Sequence, residues 1–274
     1  MDTLMSIKQT CVTTPIKKEI SKILCFIESN LHNHIKIEDI EKNSIYSARY
    51  IQRLFSCYLG LSPKRYIKFR RISCAAIILK LTKLSIVEIA VIFKFDSQQT
   101  FTREFKRISG YPPRAYRRLP YWDLSFLCNF EFKPRTTLIH PQIVSFNYKI
   151  ISVLKSYVET LGENGKLSIT NPYINKDIND ITYAYRLTPN DDSLLIDVYT
   201  VEILNTKIER EDGNLYACFS FWGNESDYKL FLQDVFYMYA GQFIIKDELI
   251  LERFTRYDEK IFHVDLFIPV IIKD

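Results

Sequence analysis

The twelve residues FDSQQTFTREFK, from Phe95 to Lys106, constrain the fold of this chain more than any other stretch. Phe101, Phe105 and Ile108 recur at i, i+4 and i+7, so a helix here gathers three large apolar groups on one face, and that face needs a core. Gln99, Thr102, Arg103 and Lys106 recur with the same period on another face, with Gln98 beside them. Asp96 or Ser97 stands where a cap is needed, and Asp96-x-x-Gln99 has capping-box spacing. Gly110-Tyr111-Pro112-Pro113 ends the helix as a Gly then Pro exit does. Upstream, Ser85 to Phe93 reads as a capped apolar helix, with Ala90 small enough for two helices to cross. A short apolar helix, a tight turn and a second helix with a polar, basic outer face form the pattern of a helix-turn-helix whose second helix enters a major groove. An ordinary amphipathic helix with a solvated basic side has the same periodicity, so the decision lies in the rest of the chain.

Charge is divided along the sequence. Residues 1–120 hold 22 Lys+Arg against 9 Asp+Glu, and the remaining residues hold 15 against 23, so a net charge of +5 conceals +13 in one part and −8 in the other. Such asymmetry points to a nucleic-acid-binding part joined to a part with another partner. The length of 274 residues favours two domains. Ile72 to Leu81 is too short for a membrane span and is interrupted by Lys80, and the first fifteen residues lack a continuous apolar signal core. A cytoplasmic protein is expected. The six cysteines show no CxxC pair, and His32 and His34 near Cys25 lack further ligands at zinc-site spacing, so no metal or other cofactor is expected.

The N-terminal 120 residues read as an all-α domain containing an internal repeat. Ile16 to about Asn30 is an amphipathic helix and Glu38–Asn43 a short one. Ser47 is placed to cap a helix whose apolar face is Ile51, Leu54, Phe55 and Tyr58, and whose polar face is Arg49, Gln52, Arg53 and Ser56. This repeats the construction seen from Phe95. Between the copies, Arg65–Leu81 reads as a long helix with Arg65, Lys68 and Arg71 on its basic side, able to hold two recognition helices about one DNA turn, ~34 Å, apart. An Arg fork bonds guanine O6 and N7 and a Gln amide bonds adenine N6 and N7, each discriminating by ~1–3 kcal/mol. The side chains able to do this are Gln52 and Arg53 in the first copy, with Arg49 on the same polar face, and Gln98, Gln99 and Arg103 in the second, with Thr102 on the same polar face. Lys64, Arg65, Lys68, Lys106, Arg114, Arg117 and Arg118 read as phosphate contacts, which set affinity and salt dependence.

On FDSQQTFTREFKR from Phe95 and on Pro113-x-x-Tyr116-Arg117-Arg118, the sequence resembles the AraC/XylS family of bacterial transcription regulators, specifically its Rob-like subgroup. The resemblance implies one chain reading an asymmetric site in duplex DNA through two major-groove helices, so that a monomer suffices on DNA, and activation by contact with RNA polymerase. The first copy departs from the family pattern: Glu41 replaces the small residue that Ala90 supplies in the second, Ile45 stands where Gly is common, and Arg49 replaces an aromatic.

Residues 121–140, with Pro134 inside and Pro120 and Pro141 at the borders, read as a linker. From 141 to 274 the period changes to two, with alternation over Ile143–Lys149, Ile181–Leu187, Leu194–Ile203, Leu215–Phe221, Glu248–Arg256 and Ile261–Ile268. Helices are expected at Ile151–Leu161 and from a Ser226 cap to Gly241. The order is that of an α+β domain with pseudo-twofold strand-helix-strand-strand repeats. On this order, on Tyr216-x-x-Phe219-x-x-x-Gly223 and on Val264-Asp265-Leu266-Phe267-Ile268-Pro269, the half resembles GyrI-like effector-binding domains. That resemblance implies a cleft for a hydrophobic or amphiphilic small molecule, for which the aromatic candidates are Tyr183, Tyr185, Tyr199, Phe219, Phe221, Trp222 and Tyr239. Relatives often carry an acidic residue in place of Trp222. A ligand-free protein-contact module and a small-molecule hydrolase are the other readings of this half. No nucleophile elbow, phosphate loop or metal motif favours an enzyme.

Overall fold

The structure is a computed structural model and describes residues 14–128, 141–160, 181–204, 214–228, 231, 232, 235, 243–256 and 261–272. Among these, the N-terminal part is helical: α1 (Thr14–Ser29), α2 (Ile37–Lys42), α3 (Ala48–Leu59), α4 (Pro63–Leu81), α5 (Ile86–Ile92), α6 (Gln98–Ser109) and α7 (Pro113–Arg118). The expected repeat is visible in how the helices stop and start. α3 ends at Gly60 and α6 at Gly110, both in the left-handed region that glycine enters without a Cβ clash. Pro63 and Pro113 then open α4 and α7 at a position where a missing N–H costs nothing.

Each copy fills its own core. The first gathers Ile20, Ile23, Ile27, Ile40, Ile51, Phe55 and Tyr66 from α1 to the first half of α4. The second gathers Ile86, Ile89, Ala90, Phe93, Phe101, Phe105 and Tyr116 around the second half of α4, and this core continues without a break into the C-terminal sheet. One helix, α4, is thus buried at both ends by different partners, which explains why it lacks the single apolar stripe of α3 and α6.

The stretch expected to be a linker is structured over its first residues. Tyr121–Trp122 forms β1, Ser125–Cys128 a single 3-10 turn, and the buried Leu124 and Phe126 join the second core. Apolar side chains at alternate positions, rather than any period over the segment, dock it there.

The sheet comprises β2 (Gln142–Phe146), β3 (Tyr148–Thr160), β4 (Ile181–Pro189), β5 (Ser193–Ile203), β6 (Asn214–Gly223), β7 (Phe243–Lys246), β8 (Ile250–Arg256) and β9 (Phe262–Ile272), with β1 on β7. All pairings are antiparallel, in the order β2-β6-β9-β8-β4-β5-β3, and β7 pairs with the last residues of β9. Asn147 alone connects β2 to β3, so the two ends of this order meet and the sheet is curled. Alternation divides its faces. Tyr183, Tyr185, Val198, Phe219, Phe221, Leu266 and Ile268 look toward the helical part, and Phe146, Ala184, Val201, Tyr216, Leu251 and Phe267 form a separate core on the other face.

Two helix expectations need correction. Residues 151–160, read as helical, are strand: the segment is rich in β-branched Ile and Val and pairs along β5, with register irregularities between Ile150 and Ser152 and between Val153 and Lys155. A strand-helix-strand-strand order is therefore absent from the first half among the described residues. The second helix does begin where expected, with residues 225–228, 231, 232 and 235 helical, but its cap is Asn224, whose side chain accepts from the Asp227 N–H at 3.0 Å, and not Ser226. Gly241 lies outside the described residues.

Candidate nucleic-acid interface

α6 is set by its cap and its anchors. Ser97 Oγ accepts the Thr100 N–H at 3.1 Å, so Ser97 caps the helix and Asp96 does not. Phe101 and Phe105 are fully buried, with rings 5.6 Å apart, and Phe105 also meets Tyr116 and Phe126. With that face fixed, Gln98, Gln99, Arg103 and Lys106 are exposed and Thr102 is half-buried between the faces. α5 is held by a reciprocal capping box between Ser85 and Glu88, whose carboxyl these hydrogen bonds keep below its ordinary range. In the turn between α5 and α6, Lys94 adopts φ 55°, a left-handed conformation unusual for a side chain with a Cβ.

The first copy reaches the same result by other bonds. The Ser47 side chain makes no cap bond; instead Glu41 Oε1 accepts the Ala48 N–H at 3.0 Å, so a carboxylate from α2 serves the positive end of α3. Glu41, a departure from the family pattern, is thus the residue that joins the two helices. Glu19 likewise accepts from the Ile45 N–H in the turn. Ile51 and Phe55 are buried, while Arg49, Gln52 and Arg53 are exposed.

The phosphate candidates divide. Lys64, Arg65, Arg114 and Arg118 are exposed, but Lys68 is half-buried, its ammonium 3.6 Å from Glu104 of α6. Arg117 needs correction: its Nε donates to the Leu79 carbonyl and its Nη2 to the Leu84 carbonyl, and burial lowers its pKa. It staples α7 to the last turn of α4, where it satisfies the Leu79 carbonyl that the helix leaves open, and to the segment before α5. Arg71, expected on the basic side of α4, donates to the Leu31 and Asn33 carbonyls and so ties the first copy to the linker helix. Arg70 does the same through a fork on Glu28 at 2.7 and 2.9 Å.

The aromatic candidates of the sheet do not share one environment. Tyr183, Tyr185, Phe219 and Phe221 are buried on the helical side of the sheet, Tyr199 is half-buried on the opposite face, and Trp222 is 55% exposed, its ring 4.6 Å from that of His263. Tyr239 lies outside the described residues. Sequence reasoning missed Glu252, a buried carboxylate that accepts from Tyr228 Oη at 2.5 Å. Burial, then the charge of Glu252, raises the pKa of both Tyr185 and Tyr228. The only signal was a charged residue at an inward position of an alternating strand.

A family model described as a helix-turn-helix domain matches residues 44–119, which run from the turn before α3 to the residue after α7. The HTH-type transcriptional activator AarP of Providencia stuartii is 42% identical over 98 residues, covering 36% of this chain and 73% of AarP. The chain belongs to the helix-turn-helix transcriptional regulators. YkgA of Escherichia coli is 43% identical over 129 residues, 45% of this chain, and the chain spans about half, 54%, of its length. Among solved structures, an AraC-type transcriptional regulator from Chromobacterium violaceum is 26% identical over 39% of this chain and 99% of its own, with a TM-score of 0.37. The matched residues contain both α3 and α6, and Glu41, which bonds to the start of α3, lies just before them.

Proposed function

We propose that this protein is a sequence-specific DNA-binding transcription regulator, an activator acting in the cytoplasm, that reads an asymmetric duplex site through α3 and α6. One observation carries the reading: two helices in equivalent places bury Ile51 and Phe55, and Phe101 and Phe105, completely and turn Gln and Arg side chains outward, with Lys64, Arg65, Lys106, Arg114 and Arg118 exposed nearby. Gln52, Arg53, Gln98, Gln99 and Arg103 then read base edges, Arg49 and Thr102 assist, and the exposed cations neutralise phosphates. The name of AarP supports activation, and an activator engages RNA polymerase. Selection of bound duplexes from a random pool tests this directly. The reading requires two unlike half-sites about one turn apart; a palindrome, or binding that only tracks ionic strength, overturns it.

The sheet half senses a hydrophobic or amphiphilic small molecule without catalysing a reaction. Glu252 supports this reading: a carboxylate hydrogen-bonded by Tyr228 and beside Tyr185, on the face toward the helical part, supplies a buried negative charge that Trp222 does not. Lipophilic cations at micromolar concentration should raise the melting temperature of the wild type and not of Glu252→Gln. No shift with cations or neutral amphiphiles favours a protein-contact role for this half.

A further inference from the structure

β3 ends the sheet order, and among the described residues no strand pairs with its outer edge. Edges in monomeric proteins are usually short, prolyl or heavily charged, because unpaired N–H and C=O groups invite another strand. β3 has thirteen residues, no proline, and apolar side chains turned to solvent: Ile150 is 42% exposed, Ile151 55%, Val153 67% and Val158 52%. Ile150, Val153 and Val158 lie on one face of the sheet, since their partners on β5 are Val201, Tyr199 and Leu195. Nothing in the DNA-binding reading uses these residues.

We propose that the outer edge of β3 is a homodimer interface, in which two copies pair their β3 strands antiparallel about a twofold axis near Leu154. The two ends of the strand are complementary in that arrangement. Lys149 falls opposite Glu159 of the partner subunit, and Ile150 opposite the partner's Val158, and each pair shares a sheet face because Lys149 and Glu159 lie opposite Glu202 and Leu194 of β5 while Ile150 and Val158 lie opposite Val201 and Leu195. Between these pairs the two register irregularities shift the face-matched partners, so that Ser152 meets the partner's Tyr157, Val153 the partner's Ser156, and Lys155 the partner's Lys155 at the axis. A twofold contact of this kind closes on itself and stops at two copies. A strand pair with its flanking apolar side chains lies at the low end of stable interfaces, so the dimer forms with a Kd of order micromolar. Each chain already carries two recognition helices, so the dimer holds two separate DNA sites in one complex and raises the effective concentration of the second.

Sedimentation of the full chain from 0.5 to 100 μM tests the proposal. The wild type should pass from monomer to dimer. Val153→Lys should raise the dissociation constant at least about tenfold with an unchanged circular dichroism spectrum. Should Val153→Lys fail to fold, a charge cycle decides: Lys149→Glu weakens the dimer about threefold to tenfold by setting two carboxylates together, and Lys149→Glu with Glu159→Lys restores it. A chain that stays monomeric at 100 μM, or a dimer indifferent to Val153→Lys and to the charge cycle, overturns the proposal.

Discussion

Phe55 and Phe105 occupy the same place on the two recognition helices, and both are buried. Phe55 meets Tyr66 in a core made from α1 to α4 alone, whereas Phe105 meets Phe101, Tyr116 and Phe126 in a core that runs on into the sheet. The first module is tied to the rest by polar links, the Glu28–Arg70 fork and the Arg71 bonds to Leu31 and Asn33, and by packing of the His32 ring on Phe93. The second is tied by burial, by Lys83 N–H donating to the Asn190 and Asp191 carbonyls, and by the Thr82–Asn190 bridge to the β4–β5 turn. A change in the sheet therefore reaches α6 through packed side chains and reaches α3 through α4 and the His32–Phe93 contact. Two modules of one design thus differ in how they report on the other half of the chain.

The comparison breaks most readily in the aromatic anchors. Phe105→Ala should cost ~3–5 kcal/mol and lower protection from hydrogen exchange in α6 and in the sheet together, while Phe55→Ala, of similar cost, should leave the sheet protected. Loss of protection across the whole chain in both variants would mean one cooperative unit rather than two. Next in size, Arg70→Ala should cost ~3 kcal/mol, because it leaves the Glu28 carboxylate, only 17% exposed, without its fork; denaturant unfolding followed by exchange should place the loss in α1 and α4. The caps give a smaller and sharper contrast. Ser97→Ala should cost ~1 kcal/mol, whereas Ser47→Ala should cost almost nothing, since Glu41 caps α3. Equal losses in thermal melts would contradict that assignment.

The smallest effect is a pH dependence confined to the second module. Lys80 donates to the Leu119 carbonyl at 2.6 Å beside the Tyr116 ring, and burial pushes its pKa from 10.5 down to about 8. Between those values the folded protein binds fewer protons than the unfolded chain, so stability rises with pH across the window. Half of the group remains exposed, and solvent screening keeps the gain small. Lys80→Met should flatten the rise between pH 8 and 10 in denaturant melts; an unchanged slope would place its cause elsewhere.

Much of this was legible in the sequence, and for identifiable reasons. Helical periodicity and stop signals at Gly60 and Gly110 are local, so α3 and α6 lie close to where the pattern puts them. The outward Gln and Arg residues follow from the anchors behind them. Residues 150–158 misled because Ile150, Val153, Leu154, Tyr157 and Val158 satisfy a helical period as well as β-branched preference, and pairing with β5 decides between the two. The partners of Arg117 and Glu252 could not be read from sequence. A surface cation and a buried staple look alike in sequence, and so do a solvated and a buried glutamate, until distant carbonyls or tyrosines are brought beside them.

The most direct test of two base-reading helices in one chain is to repeat the duplex selection with Arg53→Ala and Arg103→Ala and compare the recovered motifs. Each substitution should relax one half-site by ~1–3 kcal/mol of discrimination and leave the other intact. Relaxation by Arg103→Ala alone, with Arg53→Ala weakening all sequences equally, would make the first module a backbone clamp and contradict the account.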